Sequence, residues 1–127
     1  MGAKQLAFFE DIDEKEVRKV ITRELKQYKA LKVAMENKVE QEQEGTTILF
    51  PALINREKEK NLKVKQIDRA LQHALDDVER QIIEQKYLSN NRVKDINIYL
   101  DLGLAKDQYY SHKRQAILLI ATALGII

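Results

Sequence analysis

The sequence predicts an all-α protein: an N-terminal helical region built on one long amphipathic helix, then a C-terminal three-helix domain of helix-turn-helix layout. Three observations carry this expectation. Apolar residues recur every three or four positions from Val17 to Val39, the period of a single helix face. The 127 residues include one proline and four glycines, and 33% are charged, a composition that suits helices with solvated faces. Between Leu75 and Leu124, three short helical runs are separated by turn-favouring residues, the last two meeting at Gly103.

The elements follow in order. Phe8, Phe9 and Ile12 precede Asp13, which suits an N-cap with Glu16 as the second half of a capping box, and Ile12 and Val17 stand at hydrophobic-staple positions. The stripe then runs through Val17, Ile21, Leu25, Tyr28, Leu31, Met35 and Val39. A helix of this length is not stable alone, so its stripe packs either on the C-terminal part or on a second copy, as a homodimer through the Val17–Val39 helix. Residues 41–47 read as a loop, with Gly45 stopping the helix. Ile48 to Ile54 is an apolar patch split by Pro51, which suits the first position of a helical turn; a strand here would lack a partner. Arg56 to Arg69 carries six bases against three acids, with Val64, Ile67, Leu71 and Leu75 as a helix-spaced core face. The natural division lies near residue 62, giving regions 1–62 and 63–127.

The C-terminal region opens on an acidic helix start, Asp76 to Glu79, and is interrupted at Ser89-Asn90-Asn91. A second run covers Val93 to Leu102, and Gly103 supplies the positive φ of a tight interhelical turn. Ile82, Ile83 and Tyr87, then Ile98, Leu102 and Leu104, then Tyr109, Ala116, Ile117, Ile120 and Leu124 make the inward faces. Left outward at the front of the third helix are Lys106, Asp107, Gln108, Tyr110 and Ser111, followed by Lys113 and Arg114. Lys and Gln suit base edges, and Lys113 and Arg114 suit the phosphate backbone. Arg92 and Lys94 join these candidates, because residues 86–114 hold six bases against three acids.

Several function classes find no support in the residues. A net charge of +2 gives no global field, so any nucleic-acid site rests on local clustering. The absence of cysteine excludes disulfides and thiolate metal sites. His73 and His112 have no ligand-spaced companions, Ser89 and Ser111 lack a triad setting, and the glycines stand isolated. The expectation is a non-enzyme without cofactor or metal. No apolar run approaches a membrane span and no basic-then-apolar leader is present. Met1-Gly2 opens like a myristoylation signal, but Leu6 stands where Ser or Thr is needed. A cytoplasmic protein is expected.

The series Leu75, Glu79-Arg80, Ile82-Ile83, Tyr87 and Leu102-Gly103-Leu104 resembles the promoter-reading C-terminal helix-turn-helix domain of sigma factors. With Tyr109-Tyr110 and the ending Ala116, Ala121, Leu124-Gly125-Ile126, the chain is similar to the ArpU family of phage and prophage transcriptional regulators. The likeness covers the last fifty or so residues well and the first sixty only in general character. It implies a bacterial-host protein that controls late genes, or host genes near a prophage, by binding promoter-proximal double-stranded DNA, with host RNA polymerase as a further partner. By matching positions it implies DNA contacts at Lys106, Asp107, Gln108, Tyr110 and Ser111. One departure is Ala105, where sigma-like domains often carry a Ser or Thr N-cap worth about 1 kcal/mol; Asp107 compensates in part through the helix dipole. Two other readings remain open at this point: a small-terminase-like DNA-packaging protein, and a module that grips RNA polymerase through the acidic helix.

Overall fold

A computed structural model describes residues 12–46 and 48–127. Phe8, Phe9 and the Met1-Gly2 start lie outside the described residues, as does Thr47. The described chain is all-α, with no strand among those residues: α1 (Glu14–Gln43), α2 (Glu57–His73), α3 (Asp77–Ile83) running on as a π turn over Glu84–Leu88, α4 (Asp95–Asp101) and α5 (Lys106–Ala123). None of these helices is long and apolar enough to cross a membrane.

The helix ends follow from local chemistry. The Asp13 carboxylate accepts the backbone N–H of Glu16 at 3.2 Å, half of the expected box, and Ile12 packs against the core that includes Val17. At the other end of α1, the N–H groups of Gly45 and Thr46 donate to the carbonyls of Glu42 and Gln41, and Gly45 takes φ +64°. That is a Schellman stop at the expected glycine, with the helix covering Gln41, Glu42 and Gln43 of the expected loop. Asp76 and Glu79 close a complete capping box at the start of α3, with both bonds at 2.8 Å. Arg80 turns back instead, donating to the carbonyls of Leu71 and Gln72 at 2.9 and 3.0 Å. Those carbonyls belong to the last turn of α2 and have no intrahelical partner. Glu79-Arg80 thus fastens two helix ends at once.

The main core draws Val17, Ile21, Leu25 and Tyr28 from α1, Val64, Ile67 and Leu71 from α2, Ile83 from α3, and Ala116 to Ala121 from α5. A second cluster, Ile82, Ile98 and Tyr109, lies under α4 and is closed by Val93, Leu102 and Leu104. Adjacent Ile82 and Ile83 serve one cluster each, so α3 is the wall between them. Residue 62 falls inside α2, and the main core takes residues from both sides of it.

The long apolar stripe of α1 divides in two. Its front half, Val17 to Tyr28, is sealed inside the chain, so a dimer through the whole Val17–Val39 face is corrected: that half has no surface left for a second copy. Its back half runs past the core, with Met35 partly covered and Val39 half exposed. Residues 48–56 form neither the helical turn nor a strand; α2 begins only at Glu57.

Because α1 shares its core with α5, Leu25→Ala, at a position 1% exposed, is expected to cost about 2–4 kcal/mol and to lower one cooperative transition. Urea unfolding followed by far-ultraviolet circular dichroism checks this; a biphasic curve in which the C-terminal helices survive unchanged contradicts it.

Candidate nucleic-acid interface

Helices α4 and α5 are joined by the turn Leu102 to Ala105. The Gly103 N–H donates to the Leu100 carbonyl at 3.2 Å and the Leu104 N–H to the Tyr99 carbonyl at 2.8 Å, with Gly103 at φ +68°. Tyr99 and Leu104 meet in the second cluster, the apolar contact that accompanies such a stop. These bonds and this contact set the direction in which the chain leaves α4 and begins α5. A Cβ on Gly103 would meet nothing within 4 Å, so what glycine supplies here is the left-handed backbone and not room.

Ala105 is the N-cap of α5 and has no side-chain acceptor. Gln108 takes over part of the capping: its Oε1 accepts the Ala105 N–H at 3.0 Å. This completes half of a capping box without the Ser or Thr expected at the first position. It also commits the carbonyl end of the Gln108 amide, leaving the NH2 end to face outward.

The orientation of α5 against α4 is set by Asp95, the first residue of α4. One carboxylate oxygen, Oδ1, accepts the Tyr109 hydroxyl at 2.5 Å and the Lys113 ammonium at 3.0 Å, and Lys86 approaches it at 3.6 Å. The Tyr109 side chain is fully buried, and the Lys113 ammonium lies 5.7–6.0 Å from the ring centres of Tyr87, Tyr109 and Tyr110. Burial pulls the Asp95 carboxyl toward neutrality, but the bonds from Tyr109 and Lys113 and the charges of Lys113 and Lys86 prevail and hold it below the ordinary carboxylate range. Burial first, then the Asp95 contact, raises the Tyr109 phenol far above its usual value, so it stays a donor.

Among the expected site residues, Lys106, Asp107, Gln108, Tyr110 and Ser111 form the exposed front of α5. Arg92 and Lys94 are exposed just before α4. Lys113 and Arg114 stand differently from the expectation. Lys113 is turned inward onto Asp95 with its side chain 14% exposed. Arg114 makes a two-bond fork with Glu14 at 2.9 and 2.5 Å, fastening α5 to the first turn of α1. Helical spacing put both cations on the outer side of α5, but each has an acidic partner far away in sequence that spacing does not reveal. Asp95 and Lys86 were the residues missed. Their only local signal was charge, and the contacts that matter join Asp95 to Lys86, Tyr109 and Lys113, which lie 9, 14 and 18 residues away in the chain.

The Asp95 stabilisation has a defined pH window. Its folded pKa lies below the ordinary value of 3.8, so the contribution is complete above about pH 4 and is lost as pH falls through the folded value. Asp95→Ala leaves the Lys113 charge and the Tyr109 hydroxyl without their acceptor, an expected loss of about 2–3 kcal/mol at neutral pH, shrinking at pH 3. Chemical denaturation at the two pH values measures it; an equal loss at both would remove the charged carboxylate from the account. Compared with known proteins, the chain matches no family model, no curated sequence and no solved structure.

Proposed function

We propose that this chain is a transcription regulator that binds double-stranded DNA through α4 and α5, of the phage and prophage type that its resemblance to the ArpU family and to the sigma-factor promoter-reading domain suggests. The observation that carries the reading is the division of α5: a buried rear from Ala116 to Ala121, and a solvated front of Lys106, Asp107, Gln108, Tyr110 and Ser111, positioned by the Gly103 turn and by the Asp95 bridge to buried Tyr109. A helix in that arrangement presents its first two turns to a groove while its rear anchors it.

In this reading the front residues divide by chemistry. Gln108, with its carbonyl committed to Ala105, donates through its NH2 group alone, to an acceptor such as guanine O6 or N7 or thymine O4. It does not make the paired contact to adenine. Asp107 accepts from a cytosine amino group, and Ser111 serves either role. Lys106, Arg92 and Lys94 meet phosphates, and the Tyr110 hydroxyl joins them, its ring braced edge-on against Tyr109 at 5.1 Å. Lys113 and Arg114 drop out as DNA contacts because their charges are already paired. Three phosphate-facing cations on each copy make a weak electrostatic footprint, so tight binding requires a second copy or a polymerase alongside.

The polymerase-gripping reading through the acidic start of α3 draws less support. Glu79 is buried in its capping box, and Asp77 pairs with Arg80 at 3.1 Å.

The test is binding to a tiled set of duplex promoter fragments at several salt concentrations. One preferred fragment is expected, with a log–log salt slope of about 2–3 per copy. Lys106→Ala, Arg92→Ala and Lys94→Ala each lower that slope by about 1. Gln108→Ala instead costs about 1–3 kcal/mol on the preferred fragment only. Absence of any preferred fragment, or binding indifferent to salt, overturns the proposal.

A further inference from the structure

The chain between α1 and α2 is built unlike any other connection in the fold. Ile48, Leu49, Phe50, Leu53 and Ile54 are all exposed, Phe50 at 84% and Leu53 at 102%, in a stretch from Gly45 to Asn55 with no charged residue. A polar loop of this length needs no explanation, but a bare apolar one does. Two grooves flank the nearby end of α1. One, of about 160 Å³, is lined by Leu31, Ala34 and Met35 together with Ala52 and Ile54 of the arm itself. The other, of about 440 Å³, lies on the side of α1 toward α2, with Met35, Val39 and Val64 in its wall.

We infer that this arm is the contact between two copies of the chain, each arm crossing its equivalent antiparallel and setting Phe50 and Leu53 against the α1–α2 groove of the other copy. Two observations select a second copy as the occupant. The first is area. The five arm residues offer roughly 100–180 Å² each and Val39 and Leu62 roughly 80 Å² each, on the order of the ~800 Å² per partner that a stable dimer buries. That exceeds the largest apolar patch of an ordinary monomer, about 300–600 Å². The second is charge. Glu40, Glu42 and Glu44 precede the arm and, with Lys38, leave that flank at −2, whereas Arg56, Lys58 and Lys60 follow it and, with Glu57 and Glu59, leave the other flank at +1. Lys38 and Glu57 pair within one chain, and Glu40, Glu42, Glu44, Arg56, Lys58 and Lys60 have no ion pair among the described residues. When two arms cross antiparallel, the acidic flank of each copy lies along the basic flank of the other. A two-fold axis satisfies both sets at once and leaves no further surface to propagate. The contact replaces the front half of the α1 stripe, which the core already occupies.

The test uses the full chain without DNA, so its failure and that of the DNA-binding reading remain separate. Sedimentation equilibrium at micromolar concentration is expected to give twice the 14.8 kDa chain mass. The double variant Phe50→Asp, Leu53→Asp is expected to sediment as one chain, with association weakened more than ~30-fold, while its helical circular dichroism stays unchanged because both side chains are outside the core. Two charge variants fix the register: Glu40→Lys, Glu42→Lys, Glu44→Lys in one chain, and Arg56→Glu, Lys58→Glu, Lys60→Glu in another. Each alone is expected to be monomeric, and an equal mixture to form a heterodimer. A monomeric wild type, a larger assembly, or a dimer that survives the aspartate pair overturns the proposal. Self-association of either charge variant at wild-type strength overturns the antiparallel crossing.

Discussion

A single carboxylate oxygen, Asp95 Oδ1, decides how the last helix of this protein is presented. It accepts from a buried phenol and an ammonium ion that lie one turn apart on α5, with a second ammonium approaching from the π turn after α3. Hydrophobic contact in the second cluster holds α4 and α5 together but is non-directional. The short bonds from Tyr109 and Lys113 add direction, fixing both the rotation of α5 about its axis and its position along α4. Three aromatic rings around the Lys113 ammonium replace part of the water it gives up. The arrangement uses a charge that would otherwise sit on the surface of α5, which leaves that surface less basic and better defined.

The same economy runs through the other junctions. Arg80 satisfies the end of α2 and Glu79 the start of α3, Arg114 ties α5 to the Glu14 carboxylate in the first turn of α1, and Lys29 donates to the Ser89 carbonyl at 2.8 Å where the chain leaves the π turn. At these junctions charged side chains serve helix ends and interhelical ties rather than an outside partner. The Glu79-Arg80 pair, one basis of the resemblance to sigma-like domains, has a complete structural explanation of its own. A resemblance resting on those two residues speaks first to how the helices are stitched. Its functional content rests instead on the front of α5.

Much of the fold was legible because it is local. The cap at Asp13, the acidic helix start at Asp76, the stops at Gly45 and Gly103, and the inward sets on each helix are all settled within about four residues of sequence, the range over which helical periodicity informs. The site was legible only halfway. Lys106 to Ser111 lie outward as expected, since nothing long-range claims them. Lys113 and Arg114 do not, because Asp95 and Glu14 reach them across 18 and 100 residues of chain. The α1 stripe shows the same limit: its spacing is uniform, yet Val17 to Tyr28 meets α2 and α5 while Val39 extends beyond them. Periodicity states which face is apolar, and only topology states how far along it the core extends.

These features make the front of α5 a sparsely charged surface whose neighbouring cations Lys86, Lys113 and Arg114 are already paired within the chain. The most direct measurement of the proposed DNA-binding role is a two-dimensional amide-resonance titration of the labelled protein with the promoter duplex that the proposal expects it to prefer. The account predicts shifts concentrated at Lys106 to Ser111 and around Arg92 and Lys94, with the amides of α1 and α2 unmoved. Shifts centred on the α1–α2 arm or on the acidic start of α3, with the front of α5 silent, would contradict it.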